Sequence, residues 1–396
     1  MLPLTGTTII AVEQYGAGPF GSMLCADLGA DVIKIENPAE GGELGRRVGP
    51  YWFSEKNSHF YQALNRNKRS ITLNLKAPEG QAIFRTLVAR ADAVMNNLRG
   101  DQPEKLGLTY ADLKGVNPRI VCAHLSAYGR TGSRKSWPGF DYLMQAEAGY
   151  LSLTGEPDGP PSRMGLSIVD FMTGLMTAFG MASGIIGARA SGEGRDVDVS
   201  LFDTALHNLN YLAVWYLNNA HVQGREPRSG HPSLVPSQLY RTRDGWIFIM
   251  CNKENFWAPL CEAIGHPEWI ADPHFATFKA RLDNRATLNP LLDEALSART
   301  TAEWMQRFAG SVPAAPVLDI AEAIDNPFVA ERGGVETFSG SAHGHDIRML
   351  ASPIRLPGET LPTHAAPGLG EHTEAVLDDL GISREEQAGL KAKGVI

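Results

Sequence analysis

Strand-like and helix-like runs alternate through the first third of this chain, and that alternation restricts the fold more than any other feature. The β-branched stretch GTTIIAVEQ precedes a short helical run, GPFGSMLCADLG, and ADVIKIE follows as a second strand with Glu36 at its end. APEGQAIFRTLVARAD has helical periodicity behind a Pro-Glu start. AVMNNL and RIVCAHLSAY read as further strands, with a helix through ADLKGV between them. Strands separated by helices of this length predict an α/β fold whose parallel sheet is covered on both faces. At 396 residues the chain exceeds a typical single core, so two domains are expected, one of them discontinuous.

A single acid stands out further along. In GLSIVDFMTGLMTAFG, Asp170 heads a run without another charge until Arg189. Phe171 to Ala188 is long enough for a marginal membrane span, but Gly174, Gly180, Gly184 and Gly187 with Thr173, Thr177 and Ser183 favour close helix packing. It reads as a core helix, whose N-terminus is expected to keep the Asp170 carboxylate ionised. The net charge of −8 gives no general attraction to nucleic-acid backbones or anionic lipid. Cys25, Cys122, Cys251 and Cys261 form no CxxC pair, so neither a disulfide framework nor a metal site is expected, and the N-terminus has no signal-peptide pattern. A cytoplasmic protein is expected, with no nucleic-acid or membrane partner.

After the glycine-rich helix, GEGRDVDVSLFD predicts a turn and strand, and TALHNLNYLAVWYLNNA one long apolar helix. The proline-bearing GREPRSGHPSLVPS marks a linker or active-site loop. QLYRTRDGWIFIMC predicts a hairpin turning at Asp244-Gly245, and Lys253 to about Pro313 is mostly helical in pattern. These features divide the chain into 1–222, a small α+β insertion at 223–326, and a return to the large domain over 327–396.

Two stretches invite different chemistry. GAGPFG, Gly16 to Gly21, follows a strand and opens a helix, with Glu36 about twenty residues on, the pattern of a dinucleotide site. An NAD-dependent oxidoreductase is therefore one reading, and a tight strand-to-helix turn the other. NRNKRSITLNLKAPEG supplies Arg66, Lys68, Arg69 and Lys76, and RGDQPEKLG supplies Arg99 and Lys105. A basic run is usually a solvated face, yet together these cations are what a nucleotide with several phosphates requires.

Six segments in order resemble the class III CoA-transferase family: AGPFGSMLCADLGADVIKIE, NRNKRSITLNLKAPEG, PGFDYLMQAEAGYLSLTGEPDGPP, GEGRDVDVSLFDTALHNL, PEWIADPHFATFKARLDNR and GLGEHTEAVLDDLGISREEQ. The resemblance runs along essentially the whole chain. It implies a Rossmann-like large domain built from both chain ends, an interlocked homodimer, and coenzyme A as co-substrate with no permanently bound cofactor and no metal. Asp170 stands at the position of the family's catalytic aspartate. Ala17, Leu73 to Lys76, Asn97, Arg99 and Lys105 match its CoA-binding positions, and Tyr128 lies near the thioester. Lys105 replaces an arginine, Asn37 a basic residue, Gly16 a glutamine and Ser126 a lysine of the formyl-CoA transferases, which argues against formyl-CoA or oxalate chemistry. SGHPSLVPSQLY takes the place of a glycine-rich loop, making Gly230 and His231 candidate lining residues. In the related α-methylacyl-CoA racemases a histidine base stands where this chain has Phe140, leaving Asp141 and His124 as imperfect substitutes. The resemblance thus implies CoA transfer between an acyl-CoA and a small carboxylic acid, with a racemase as the alternative. HPSLVPSQLYRTRDGWIFIMCNKENFW is most similar to relatives acting on short dicarboxylates such as mesaconate, itaconate or citramalate. Arg47 and Arg228 are the candidate cations for a second carboxylate.

Overall fold

The computed structural model describes residues 1–340, 344 and 346–396. Its main sheet comprises β1 (Thr8–Val12), β2 (Asp31–Glu36), β3 (Arg69–Thr72), β4 (Ala93–Asn96), β5 (Val121–Ser126) and β6 (Arg195–Ser200). All neighbours are parallel and the order is β3-β2-β1-β4-β5-β6. This is the doubly wound order, which reverses direction between β1 and β4.

The strands alternate their side chains between two cores, as a period of two requires. Ile10, Ile33, Ile71 and Val94 face Ile83, Phe84 and Leu87 of the helix Pro78–Val88. Ile9, Val32, Ala93 and Val121 face the helix α1 (Ala17–Asp27) and a longer helix, α2 (Ile168–Ser191). The small residues of α2 let it approach closely. A Cβ on Gly174 would lie 2.4 Å from the Ala17 carbonyl oxygen, and one on Gly21 would lie 2.5 Å from that of Gly174. By length and composition α2 could also cross a membrane, but Gly174 admits α1, Gly180 packs on Val197 and Gly184 on Val121.

Two compact units result, one of Met1–Ala148, Gly165–Asn210 and Phe328–Ile396, the other of Gly149–Met164 and Tyr211–Pro327. The second unit therefore begins before the expected Gln223 and takes in an earlier segment. The reason lies in the apolar run expected as one helix. It breaks into α3 (Leu201–Asn208) and α4 (Tyr211–Asn219), because Asn210 turns into the left-handed region at φ 47°, which asparagine tolerates better than most residues. The chain returns to the first unit near its end, where Asn74 N–H donates to the Val395 carbonyl and His372 N–H to that of Ser70.

In the second unit β7 (Ser237–Arg241) and β8 (Trp246–Met250) form the expected hairpin, with β9 (Ala314–Pro316) antiparallel on its other edge. Helices occupy much of the segment between, and Trp257, Leu260, Leu292, Trp304 and Phe308 form the core beneath the sheet.

Candidate active site

Ligands of doubly wound sheets bind at the carboxyl ends of the strands where the order reverses. Here Gln14 follows β1 and Asn97 follows β4, and they lock together. Gln14 N–H donates to Asn97 Oδ1 at 2.9 Å while Asn97 Nδ2 donates to the Gln14 carbonyl at 2.6 Å. A cavity of about 340 Å³ opens beside them, and Asp170 forms part of its wall. Each glycine of GAGPFG has a different neighbour. A Cβ on Gly16 would meet Asp170 Oδ2 at 2.6 Å, one on Gly18 would meet Asn97 Cγ at 2.8 Å, and Gly21 admits α2. The fingerprint is thus explained by a carboxylate and by packing, without a dinucleotide.

Asp170 sits in the first turn of α2 and is half-buried. Its own N–H donates to Asp141 Oδ2 at 3.0 Å, so a second carboxylate is fixed nearby. Burial, with the Asp141 charge added, pushes the Asp170 carboxyl up to about 7. This corrects the expectation that the helix N-terminus keeps the acid ionised. Burial and the like charge of Asp141 both favour the protonated form.

Gln14, Leu98 and Gln102 line this cavity and also a second space of about 250 Å³ bordered by Leu73 to Lys76. Of the expected CoA positions, Ala17, Asn97 and Arg99 therefore line the first space and Leu73 and Lys76 the second. Lys105 is exposed and bridges to Asp101 at 2.6 Å. Tyr128 lines neither space, and its hydroxyl donates to Glu147. Arg47 donates to the Glu40 carbonyl at 2.5 Å, close to the second space, and does not line the cavity at Asp170. Arg228, Gly230 and His231 belong to the other compact unit. There Arg228 pairs with Asp293, and His231 Nδ1 accepts from Ser233 N–H and Leu234 N–H, each at 3.1 Å.

The basic run does not form the phosphate cluster expected of it. Lys68 is buried and donates to Glu13 Oε1 at 2.8 Å, Arg66 grips Asp27, and Arg69 pairs with Asp31. Burial tends to raise Glu13, but the Lys68 and Lys34 ammonium groups outweigh it and hold the carboxyl below its ordinary value. Lys68 is depressed to about 8, chiefly by burial. Glu36 is committed too. Arg46 binds both its oxygens at 2.7 and 2.6 Å, and Ser70 Oγ donates at 2.6 Å, so no face is left for a ribose. The NAD reading fails on that acid.

The racemase reading lacks its base. Phe140 lines the cavity at the histidine position, while His124 is buried elsewhere with its nitrogens against Asn96 and Asp196. Asp141 is buried and accepts from Asp170 and Gln145. Among the described residues no group of three or more His, Cys, Asp or Glu could hold a metal ion.

Sequence reasoning passed over Glu43 and Tyr15. Glu43 Oε2 accepts from Tyr15 N–H at 2.8 Å, and its other oxygen lies 3.3 Å from Lys34 Nζ. Nothing in the local sequence signals this, because the partners come from separate strands and loops.

The family model for CoA-transferase family III matches residues 4–373. The succinate–glutarate CoA-transferase of Agrobacterium fabrum is 33% identical over 96% of this chain and 96% of its own length. The acetyl-CoA:oxalate CoA-transferase of Acetobacter aceti is 34% identical over 99% of this chain and 97% of its own. The crystal structure of a CAIB/BAIF family protein from Brucella suis superposes with a TM-score of 0.82 at 32% identity, covering 96% of this chain and 99% of that one. A switch-point cavity walled by a helix-borne aspartate is thus carried by a chain that belongs to CoA-transferase family III and is an enzyme of that class.

Proposed function

We propose that this CoA-transferase exchanges CoA between the thioester of one short acid and the carboxylate of another, at least one of them a dicarboxylate of the mesaconate, citramalate or succinate type. The observation that carries the reading is Asp170 in the wall of a cavity that shares Gln14, Leu98 and Gln102 with a second space lined by Leu73 and Lys76. In this reading the thioester lies at the Asp170 cavity and the phosphorylated nucleoside at the neighbouring space. The dicarboxylate class is supported by relatives named for succinate, glutarate and oxalate.

Moving CoA between carboxylic acids is nearly isoenergetic, so the acyl group must stay activated throughout. A carboxylate nucleophile meets that need. Ionised Asp170 attacks the thioester carbonyl, the C–S bond breaks, and CoA thiolate leaves a mixed anhydride. The thiolate then attacks the Asp170 carbonyl and releases the donor as its carboxylate, leaving an aspartyl-CoA thioester. An acceptor carboxylate reverses both steps, becoming the new CoA ester and restoring Asp170. The enzyme acts as a cytoplasmic homodimer in this reading. The exposed Leu175, Phe179 and Ile186 on α2 support a covering partner copy, and four buried, unpaired cysteines suit a reducing compartment.

Incubation with a panel of acyl-CoAs and carboxylic acids, followed by mass spectrometry of the CoA esters, tests the proposal. New dicarboxylyl-CoA should form with the wild-type protein and not with Asp170→Ala. Exchange only among monocarboxylates would discard the dicarboxylate class. Undiminished turnover by Asp170→Ala would discard the nucleophile.

A further inference from the structure

The residue before Gly16 adopts a conformation that tyrosine rarely takes. Tyr15 has φ 61°, a left-handed backbone that costs roughly 1–3 kcal/mol outside glycine and persists only when its surroundings impose it. They do so here. Tyr15 N–H is held by Glu43 Oε2, the preceding Gln14 is locked to Asn97 on both sides of its peptide, and Gly16 lies under Asp170.

The strained backbone places the Tyr15 ring at the Asp170 cavity, edge-on to two other rings. Phe140 lies 6.1 Å away at 70° and Phe60 lies 6.3 Å away at 74°. Phe140 and Tyr15 both line the cavity together with Leu125, Ala127 and Pro138. Phe140 is 59% exposed, an aromatic surface left bare beside a carboxylate. Such a surface gains when an acyl group covers it, by roughly 25 cal/mol per Å² removed from water.

Resting on the reading of Asp170 as nucleophile, we infer that Tyr15 and Phe140 form an aromatic wall that seats the acyl group and keeps water from the aspartyl anhydride. The competing reaction is hydrolysis. Water adds to the acyl carbonyl, the bond to the Asp170 oxygen breaks, and the acid leaves as its carboxylate. One proton of that water passes to the displaced CoA thiolate and the other to solvent. Each such event releases one free thiol, whereas a completed transfer releases none. The wall works by its ring surfaces, so the Tyr15 hydroxyl is dispensable for it.

The test measures free thiol against new CoA ester in the same reaction mixture, using the full chain, an acyl-CoA donor and the acceptor acid it prefers. Tyr15→Asn keeps a residue suited to the left-handed backbone while removing the ring, and Phe140→Ala removes the partner ring. Each should raise the thiol-to-transfer ratio about tenfold, with wild-type thermal midpoints and unaltered affinity for free CoA. Tyr15→Phe should keep the wild-type ratio. An unchanged ratio in both ring-deleted variants, or a rise in Tyr15→Phe as large as in Tyr15→Asn, overturns the inference. A wild-type protein that transfers no CoA would instead strike the proposed function.

Discussion

Asp141 Oδ2 accepts the backbone N–H of Asp170 at 3.0 Å, which fixes two carboxylates in one neighbourhood. With burial, that proximity raises Asp170 to about 7. Attack on a thioester requires the ionised form, so kcat/KM should climb with pH through about 7 and level off above it. Asp141→Asn keeps an acceptor for the Asp170 N–H but removes the charge, and should move the inflection to lower pH. A profile flat from pH 5.5 to 8.5 in the wild type would contradict this assignment.

The same shift has a stability consequence of definite sign. The folded-state pKa of Asp170 lies above its unfolded value of 3.8, so the native state holds the proton more tightly. Stability is therefore lost as pH rises from about 4 to about 7. Asp170→Asn lacks that loss and should be more stable than wild type at pH 8 by ~1–2 kcal/mol, with a smaller difference at pH 5. Thermal melts at the two pH values measure it.

Helix α2 reaches α1 only because neither contact glycine carries a side chain. Gly174→Ala and Gly21→Ala each drive a methyl group into a carbonyl oxygen at 2.4 and 2.5 Å. Neither obstacle is a flexible side chain that can swing away. Each substitution should cost about 1–3 kcal/mol in denaturant unfolding and widen the Asp170 cavity. Gly187→Ala, with Arg195 Nη2 at 4.0 Å as its nearest new neighbour, is the control and should be near neutral.

Lys68 separates a structural cation from a phosphate-binding one. Lys68→Met leaves Glu13 with Lys34 alone at 3.7 Å and should destabilise the protein by ~3–5 kcal/mol. Its preference for CoA over 3′-dephospho-CoA should stay at the wild-type ratio, measured by calorimetry at a temperature where the variant is folded. A selective loss of that preference would return Lys68 to the phosphate.

The two loop arginines should also part company. Arg47 stands beside the Leu73 to Lys76 space, so Arg47→Ala should raise KM by a similar factor for dicarboxylyl- and monocarboxylyl-CoA donors. Arg228 is tied to Asp293, so Arg228→Ala should cost the smaller unit about 0.5–1 kcal/mol. Discrimination against monocarboxylates by either variant would mark it as the partner of a remote carboxylate.

The strands, the glycine-rich helix and the hairpin at Asp244-Gly245 are legible in the sequence because each is written locally. A β-branched run marks the stretch around Ile9 and Ile10 as a strand, ADVIKIE reads as the next one, and an uncharged run rich in glycine marks α2 as a packed helix. The resemblance supplied Asp170 and the family in the same way, from ordered local segments. What only the tertiary structure decided is pairing across distance. Lys68 meets Glu13 from 55 residues away and Asp170 meets Asp141 from 29, so a cation read as a phosphate ligand became a core ion pair, and an acid expected to be ionised became one raised to about 7. The break at Asn210 belongs with these. Its flanks read as one apolar helix, yet the division between compact units falls there, where the chain turns at Asn210. Periodicity fixes which face of an element is buried, whereas the charge state of a side chain depends on which neighbours and how much water the completed fold leaves around it.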